Sequence, residues 1–440
     1  MIDIFNRKNS VFYPLVLLII TFIVLFPVLM NNFQYEWDDQ WMVMNRYTEG
    51  GLGWKNLWAI LTEYYHGQYG PVNEYQFLFL YSAFGYTPFP FHLYSLLLHV
   101  GSCLLVYCII VKIFKVTTHL KIKNEREIAF LSALIFSIHP MNVEAVAWIS
   151  AVKIINYAFF YLAATYTFIL YIERKKIKYF LFTILLFILS FGGKEQAVTF
   201  PVWLTMLWWL LGCRFKSKRF WLSITPLYLL ALFFGFVTMW SQADAGAGVL
   251  AGEQSYPMWQ RMILACYSLF EYITKLVAPY NLLFVYPFPI AKGEPLPSWM
   301  LLYPSIITII VLTLWKYICK WPVASGFIFF LIHIAITLHI VPISRYAIVA
   351  DRYVYISSSG FAFIIAYYAL CWYRKSDKNG RIILVSVLSC ILLTWGIFSN
   401  IRAREWYDST SIKKDLRELI KQNPGYIPPK EDIDIDIIKE

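Results

Sequence analysis

Two adjacent acids, Asp38 and Asp39, stand in "NNFQYEWDDQWMVMN", residues 31–45, directly behind the first long apolar run and among Tyr35, Trp37 and Trp41. A carboxylate in such a place can take a proton from a reacting hydroxyl or contribute to a cation site. It can equally solvate a loop or cap the helix that "QWMVMNRY" could begin. Three further stretches break apolar surroundings with charge. "HPMNVEAVAWISAVK" (139–153) sets His139 beside a proline, Glu144 and Trp148 four apart on one helix face, and Lys153 about a turn beyond. "GGKEQA" (192–197) carries Lys194 and Glu195, and "AIVADRYVYI" (347–356) carries Asp351 and Arg352. Two of them have a plain structural alternative: a capping histidine and an internally paired Glu144 and Lys153 in the first, an Asp351–Arg352 ion pair at a surface in the last. Lys194 and Glu195 interrupt an apolar stretch where only a partner or a ligand would justify them. Acids on one connector with cations on three others fit a bound anion next to a reacting hydroxyl. Lys and Arg hold phosphate, Arg with a bidentate fork.

The elements that must position these groups are membrane helices. Of 440 residues 59% are hydrophobic and only 15% charged, and the mean hydropathy is +0.56, which excludes an ordinary soluble domain. Apolar runs of roughly 20 residues, enough to cross a ~30 Å hydrocarbon core, recur along the chain. They are long and non-alternating, which excludes a transmembrane barrel. The expected class is therefore an all-α polytopic integral membrane protein with about eleven spans, near 11–30, 90–114, 128–147, 154–172, 179–194, 197–212, 220–240, 299–317, 322–342, 354–373 and 382–400. The first run ends without a small-residue cleavage site and reads as a retained helix. The stretch 259–279 carries Arg261, Glu271 and Lys275, and is expected to lie at the outer surface or to be re-entrant. Residues 1–400 form the membrane domain and 401–440 a short tail.

The net charge of +11 does not mark a nucleic-acid binder, because the cations gather in short connectors: 115–126, 173–178, 213–219, 316–320 and 373–381. This is the positive-inside pattern. It places those connectors and the N-terminus in the cytoplasm, and the four polar stretches and the C-terminus outside. The seven cysteines show no paired or metal-like spacing and read as small buried hydrophobes.

One carboxylate base plus several cations suits sugar transfer from a lipid phosphate, since the phosphate leaves as a stable anion and needs no second carboxyl to protonate it. The motifs themselves resemble a known family. "WDDQWMVMN", "YTPFPFHLYSLLLHVGSCLLVY", "HPMNVEAVAWISAVK", "GGKEQAVTFPVWL", "KLVAPYNLLFVYPFP", "ADRYVYISSSGF" and "NIRAREWYDSTSI" are similar, in order, to the membrane part of the transmembrane and tetratricopeptide-repeat O-mannosyltransferases. These belong to the C-type glycosyltransferase (GT-C) superfamily. The resemblance implies a catalytic base at Asp38 or Asp39, donor phosphate contacts among Lys153, Lys194 and Arg352, and supporting or substrate-binding roles for His139, Glu144, Trp148, Glu195 and Asp351.

It also implies a polyprenyl-phosphate-linked sugar as donor, with mannose the candidate by family analogy, and a protein or cell-envelope glycan as acceptor, with inversion at the sugar. The bilayer is a partner and nucleic acid is not. No cofactor is expected and a divalent cation is not favoured, since the two acids have no further ligand cluster. A bacterial inner membrane is the expected site. The chain departs from the family at Gly70-Pro71, where an Arg-Pro is usual, and in "SAVKIIN", where Gly-Arg-Lys-Asp is usual; the repeats are absent from these residues. A flippase or transporter of lipid-linked sugars would use similar groups but calls for paired halves, and no internal repeat is visible. A non-catalytic subunit of the same fold is the other alternative, favoured by the missing Arg at position 70.

Overall fold

Each apolar run becomes a helix, because backbone N–H and C=O groups in lipid must be satisfied within their own segment. The computed structural model describes residues 11–117, 124–246, 256–290, 293–340 and 347–422, apart from the side chains of 415, 416 and 418–422. Arg7 and Lys8, part of the 115–126 connector and the end of the tail lie outside these residues. Helices stand at each expected position: Phe12–Leu25, Pro88–Val116, Glu125–Ile138, Val152–Arg174, Ile177–Gly193, Phe200–Leu210, Lys218–Asp244, Leu302–Ile318, Trp321–Ile334, Ser358–Lys375 and Lys378–Glu405. Among the described residues seven helices, some taken with an adjoining 3-10 turn, are long and apolar enough to cross a membrane, or eight if one bent pair counts as a single span. The sequence suggested about eleven. Ile177–Gly193 and Phe200–Leu210 are shorter, at 17 and 11 residues.

The bent pair is Glu125–Ile138 and Pro140–Ala147, which meet at 59°. Pro140 supplies no N–H and holds His139 in an extended conformation (φ −70°, ψ 128°), so the helix ends there and the chain restarts in a new direction. That bend carries Glu144 and Trp148 inward.

Two ends of the bundle follow from the contacts. At one end the Asn31 amide donates to the Ala403 carbonyl (2.9 Å), the Asn73 amide to Gly193 (2.8 Å), and the Ser150 N–H to Asp39 (3.0 Å). At the other, Lys112 reaches Glu173 (2.8 Å), Arg219 the Tyr171 carbonyl (2.6 Å), and Arg374 the Asn124 side chain (3.0 Å). All four polar stretches fall at the first end and the basic connectors at the second.

The charged helix Met258–Val277 is not among those apolar enough to cross. It buries Leu264, Ala265, Tyr272 and Leu276 against Ile334, Leu338 and Val354. Its charges are met locally: Arg261 donates to the Ile340 carbonyl (2.7 Å) and Lys275 lies 3.8 Å from Glu271. An antiparallel pair, Tyr286–Pro287 with Ala347–Val349, leads into Asp351. Residue 400, the expected domain boundary, falls inside Lys378–Glu405. Beyond it Ser409–Gln422 packs back onto the first loop, with Ile412 buried, Lys413 paired with Glu36, and the Glu36 N–H donating to Ser409 (3.2 Å).

Candidate active site

The fold separates the two neighbouring acids. Asp39 opens a short helix, Asp39–Met42, and is fully buried. One of its oxygens accepts from the Gln34 N–H (2.7 Å), the other from both the N–H and the hydroxyl of Ser150. It thereby pins the first loop to the chain just before Lys153. Burial pushes its carboxyl up to about 7, the bonds from Ser150 and Gln34 pulling the other way. Asp38 is half-buried, with φ at +72°, a left-handed conformation that Asp tolerates better than most residues and that proteins retain where surrounding structure enforces it. Its carboxylate accepts from Trp41 Nε1 (3.2 Å).

Around Asp38 the other stretches converge. Arg352, 208 residues from Glu144, gives that carboxylate its N–H (2.9 Å) and its guanidinium (2.5 Å). The guanidinium also lies 5.1 Å from the Trp148 ring and 4.9 Å from that of Tyr353, a cation–π sandwich. Trp148 donates to the Trp37 carbonyl (3.1 Å) and stacks on Trp406 with centroids 5.6 Å apart. Lys153 donates to Gln68 (3.3 Å) and lies within electrostatic reach of Asp38, Glu195, Arg352 and Tyr353. Lys194 is buried, 3.9 Å from Glu195 and 5.9 Å from the Tyr353 ring. Tyr353 is thus the common neighbour of the three expected phosphate-binding cations.

Two expected residues point elsewhere. His139 caps the helix break: its Nδ1 accepts from the Met141 N–H (3.2 Å) and its Nε2 bonds the Leu276 carbonyl (3.0 Å), so both nitrogens are engaged in packing the bend. Asp351 faces away from its neighbour Arg352, accepting from the Tyr286 hydroxyl (2.7 Å) and from Arg402 (3.4 Å). Burial raises its carboxyl.

The fold adds groups that no motif marked. Glu74, buried in the first turn of Pro71–Phe84, accepts from Asn45 (2.9 Å), whose side-chain oxygen takes the N–H groups of Tyr47 and Thr48. Burial lifts the Glu74 carboxyl to about 7, with Asn45 and Lys153 opposing. A lone acid four residues past Gly70 in "YGPVNEYQF" was the available signal. Asn156 bonds Asn73 and Gln76 (both 2.9 Å) behind Lys153. The surroundings of Gly70 and Val152 are close-packed. A Cβ at Gly70 would meet the Asn73 amide at 2.8 Å, and Val152 is buried with Phe33, Phe77 and Phe91 in an apolar cluster. Among the described residues no group of three or more His, Cys, Asp or Glu is arranged to hold a metal.

An archaeal oligosaccharyltransferase from Archaeoglobus fulgidus, solved with a tethered acceptor peptide containing an NVT sequon, shares this architecture. The TM-score is 0.51 at 12% identity, covering 96% of this chain and 60% of that one. At that identity the likeness is one of fold, an all-α, GT-C-like membrane architecture. A second structure, oligosaccharyltransferase AglB from the same organism with an inhibitory peptide and a dolichol-phosphate, matches at 0.48, 12% identity, 96% and 61%. The chain spans about 60% of the length of the solved structures it matches. No family model and no curated protein matches its sequence.

Proposed function

We propose that this membrane protein is an inverting glycosyltransferase that moves a sugar from a polyprenyl-phosphate carrier to a hydroxyl of a protein or cell-envelope glycan, as the resemblance to the O-mannosyltransferases suggests. The observation that carries the reading is the sorting of the acids: Asp39 is held by three hydrogen bonds, while half-buried Asp38 stands within electrostatic reach of Lys153 and Arg352. Asp38 takes the proton of the acceptor hydroxyl as its oxygen attacks the anomeric carbon from the side opposite the phosphate. The sugar–oxygen bond to phosphate breaks, and the carrier leaves as an anion steadied by Lys153, Lys194 and Arg352. Glu144 and Trp148 orient the Arg352 guanidinium, and Glu195 does the same for Lys194. Asp39, His139 and Asp351 hold the framework. The donor sugar is mannose in this reading, and the step uses no metal or other cofactor.

Support for an outward-facing site comes from the basic connectors at the opposite end of the bundle; the membrane in this reading is a bacterial inner membrane. An otherwise cysteine-free chain with cysteine at exposed position 40 should react fully with an impermeant reagent added outside, and one with cysteine at exposed position 216 should not. The reverse pattern refutes the orientation. For function, purified protein is given polyprenyl-phosphate mannose, polyprenyl-phosphate glucose and a panel of hydroxyl acceptors. Transfer by wild type and its loss in Asp38→Asn support the enzyme. Carrier movement across vesicles without any transfer supports the transporter, and neither activity supports a non-catalytic subunit.

A further inference from the structure

Away from the Asp38 end, a cleft opens between the helices Pro88–Val116, Val152–Arg174, Phe200–Leu210, Trp321–Ile334 and Ser358–Lys375. Its walls are apolar, with Ile109, Phe114, Trp203, Phe329 and Phe363 among them. Where Gly326 meets Gly360 the last two helices touch backbone to backbone: a Cβ on Gly326 would come within 2.8 Å of the Gly360 carbonyl.

Three observations on this cleft have no part in sugar transfer. First, two lining residues, Thr117 and Trp203, each 3% exposed, have a buried side-chain polar atom, Oγ1 and Nε1, without a hydrogen-bond partner. A buried polar group left this way is costly, and most such groups in folded proteins meet a partner. Second, three lining residues lie within four positions along the chain of exposed cations on separate connectors: Thr117 follows Lys115, Leu210 precedes Arg214, and Trp321 follows Lys320. Third, an edge-to-face contact between Trp209 and Trp321, centroids 4.9 Å apart, brings two of those connectors together. The positive-inside pattern accounts for cations on connectors, but not for an apolar cleft with unpartnered polar atoms whose lining helices end next to three of them.

We propose that this cleft binds one anionic glycerophospholipid, with an acyl chain between the helices and its phosphate among Lys115, Arg214 and Lys320. Basic pockets between membrane helices are a recurrent way of holding acidic lipid headgroups. The Thr117 hydroxyl donates to a headgroup oxygen and Trp203 Nε1 to an ester carbonyl deeper in the cleft. The lipid takes no part in the reaction proposed above and lies at the opposite end of the bundle from it.

The test uses the full chain in nanodiscs made with phosphatidylglycerol or phosphatidylcholine, with native mass spectrometry counting retained lipid. One phosphatidylglycerol per chain is expected to persist where phosphatidylcholine is lost. Ser325→Phe fills the cleft and should abolish retention. Lys115→Gln with Lys320→Gln changes only exposed positions and should weaken phosphatidylglycerol retention by about tenfold, the scale of one lost charge-assisted contact. Equal retention of both lipids by wild type, unchanged preference in the lysine variant, or displacement of the lipid by polyprenyl phosphate would each overturn the proposal. Sugar transfer is not part of the readout, so a failure here is distinct from a failure of the glycosyltransferase reading. If Ser325→Phe does not fold, the lysine variant still decides.

Discussion

At the Asp38 end of the bundle charged groups are buried and bonded from several sides, Glu144 to Arg352, Asp351 to Arg402 and Tyr286, Asp39 to Ser150 and Gln34. At the other end the contacts are surface pairs such as Lys112 with Glu173, and Lys175, Lys176 and Lys178 are exposed. Surface pairs contribute about 0–1 kcal/mol, whereas burying an ion costs several kcal/mol unless it is fully paired. Charge at the exposed end can therefore be varied cheaply. Buried charge persists only where packing or function enforces it, so the comparison tells which residues to change and what each change should do.

The largest effect should come from Asp38, the acid at the buried end with the fewest obligations to the fold. Asp38→Asn keeps its shape and removes the base, and should lower turnover by roughly 10²–10⁴ with donor binding nearly unchanged. Sugar transfer in membranes matched for protein level measures this. Near-normal transfer by Asp38→Asn would end its role as base.

Next comes the phosphate. Lys194→Ala should weaken donor binding by roughly 1.5–3 kcal/mol, the range for a charged hydrogen bond, measured by titration with a polyprenyl-phosphate sugar. Arg352→Ala should do the same and, unlike Lys194→Ala, strand Glu144, which is 1% exposed, at a cost of roughly 3–5 kcal/mol in stability. Adding Glu144→Gln to Arg352→Gln should recover most of that stability without recovering donor affinity. Recovery of both would assign the pair a purely structural role.

Asp39 gives a smaller effect of a different kind. Asparagine offers one acceptor oxygen where the carboxylate offers two, so Asp39→Asn should cost about 1–3 kcal/mol through an unsatisfied donor. The pH dependence has a definite sign. Burial raises this carboxyl from 3.8 to about 7, so its contribution to stability is fully present below pH 3.8 and is lost as pH rises through 7. Glu74 shifts in the same direction, also to about 7. Thermal melts of wild type should fall between pH 4 and 8, and Asp39→Asn should show a shallower fall. A wild-type melting temperature that climbs across this window would contradict the burial of these acids.

The smallest effect belongs to the exposed end. Lys176→Gln should change stability by less than about 0.5 kcal/mol and leave sugar transfer untouched. A large loss in either would break the contrast between the two ends.

Much of this protein was legible in its sequence because membrane burial leaves local signals. Apolar runs of spanning length, the proline after His139 and the basic connectors are each readable within one segment, and helices stand where those runs lie. The number of spans was less legible: whether a short or bent helix such as Ile177–Gly193 crosses depends on its neighbours, not on its own composition. The site divides in the same way. The motifs that brought Asp38, Lys153, Lys194 and Arg352 into view are local; the tertiary structure gathers the three cations around Tyr353 and sets Asp38 within electrostatic reach of Lys153 and Arg352.

What the sequence by itself determined is the helical membrane architecture, the charge asymmetry of its two ends and the set of residues able to do chemistry. Only the tertiary structure decided which acid of an adjacent pair is locked by Ser150, that Arg352 answers to Glu144 rather than to its neighbour Asp351, and that Glu74 is buried near Lys153. The physical reason is that a side chain's burial and partners depend on what the fold packs against it. Glu144 and Arg352 lie 208 residues apart, and no local pattern encodes that meeting.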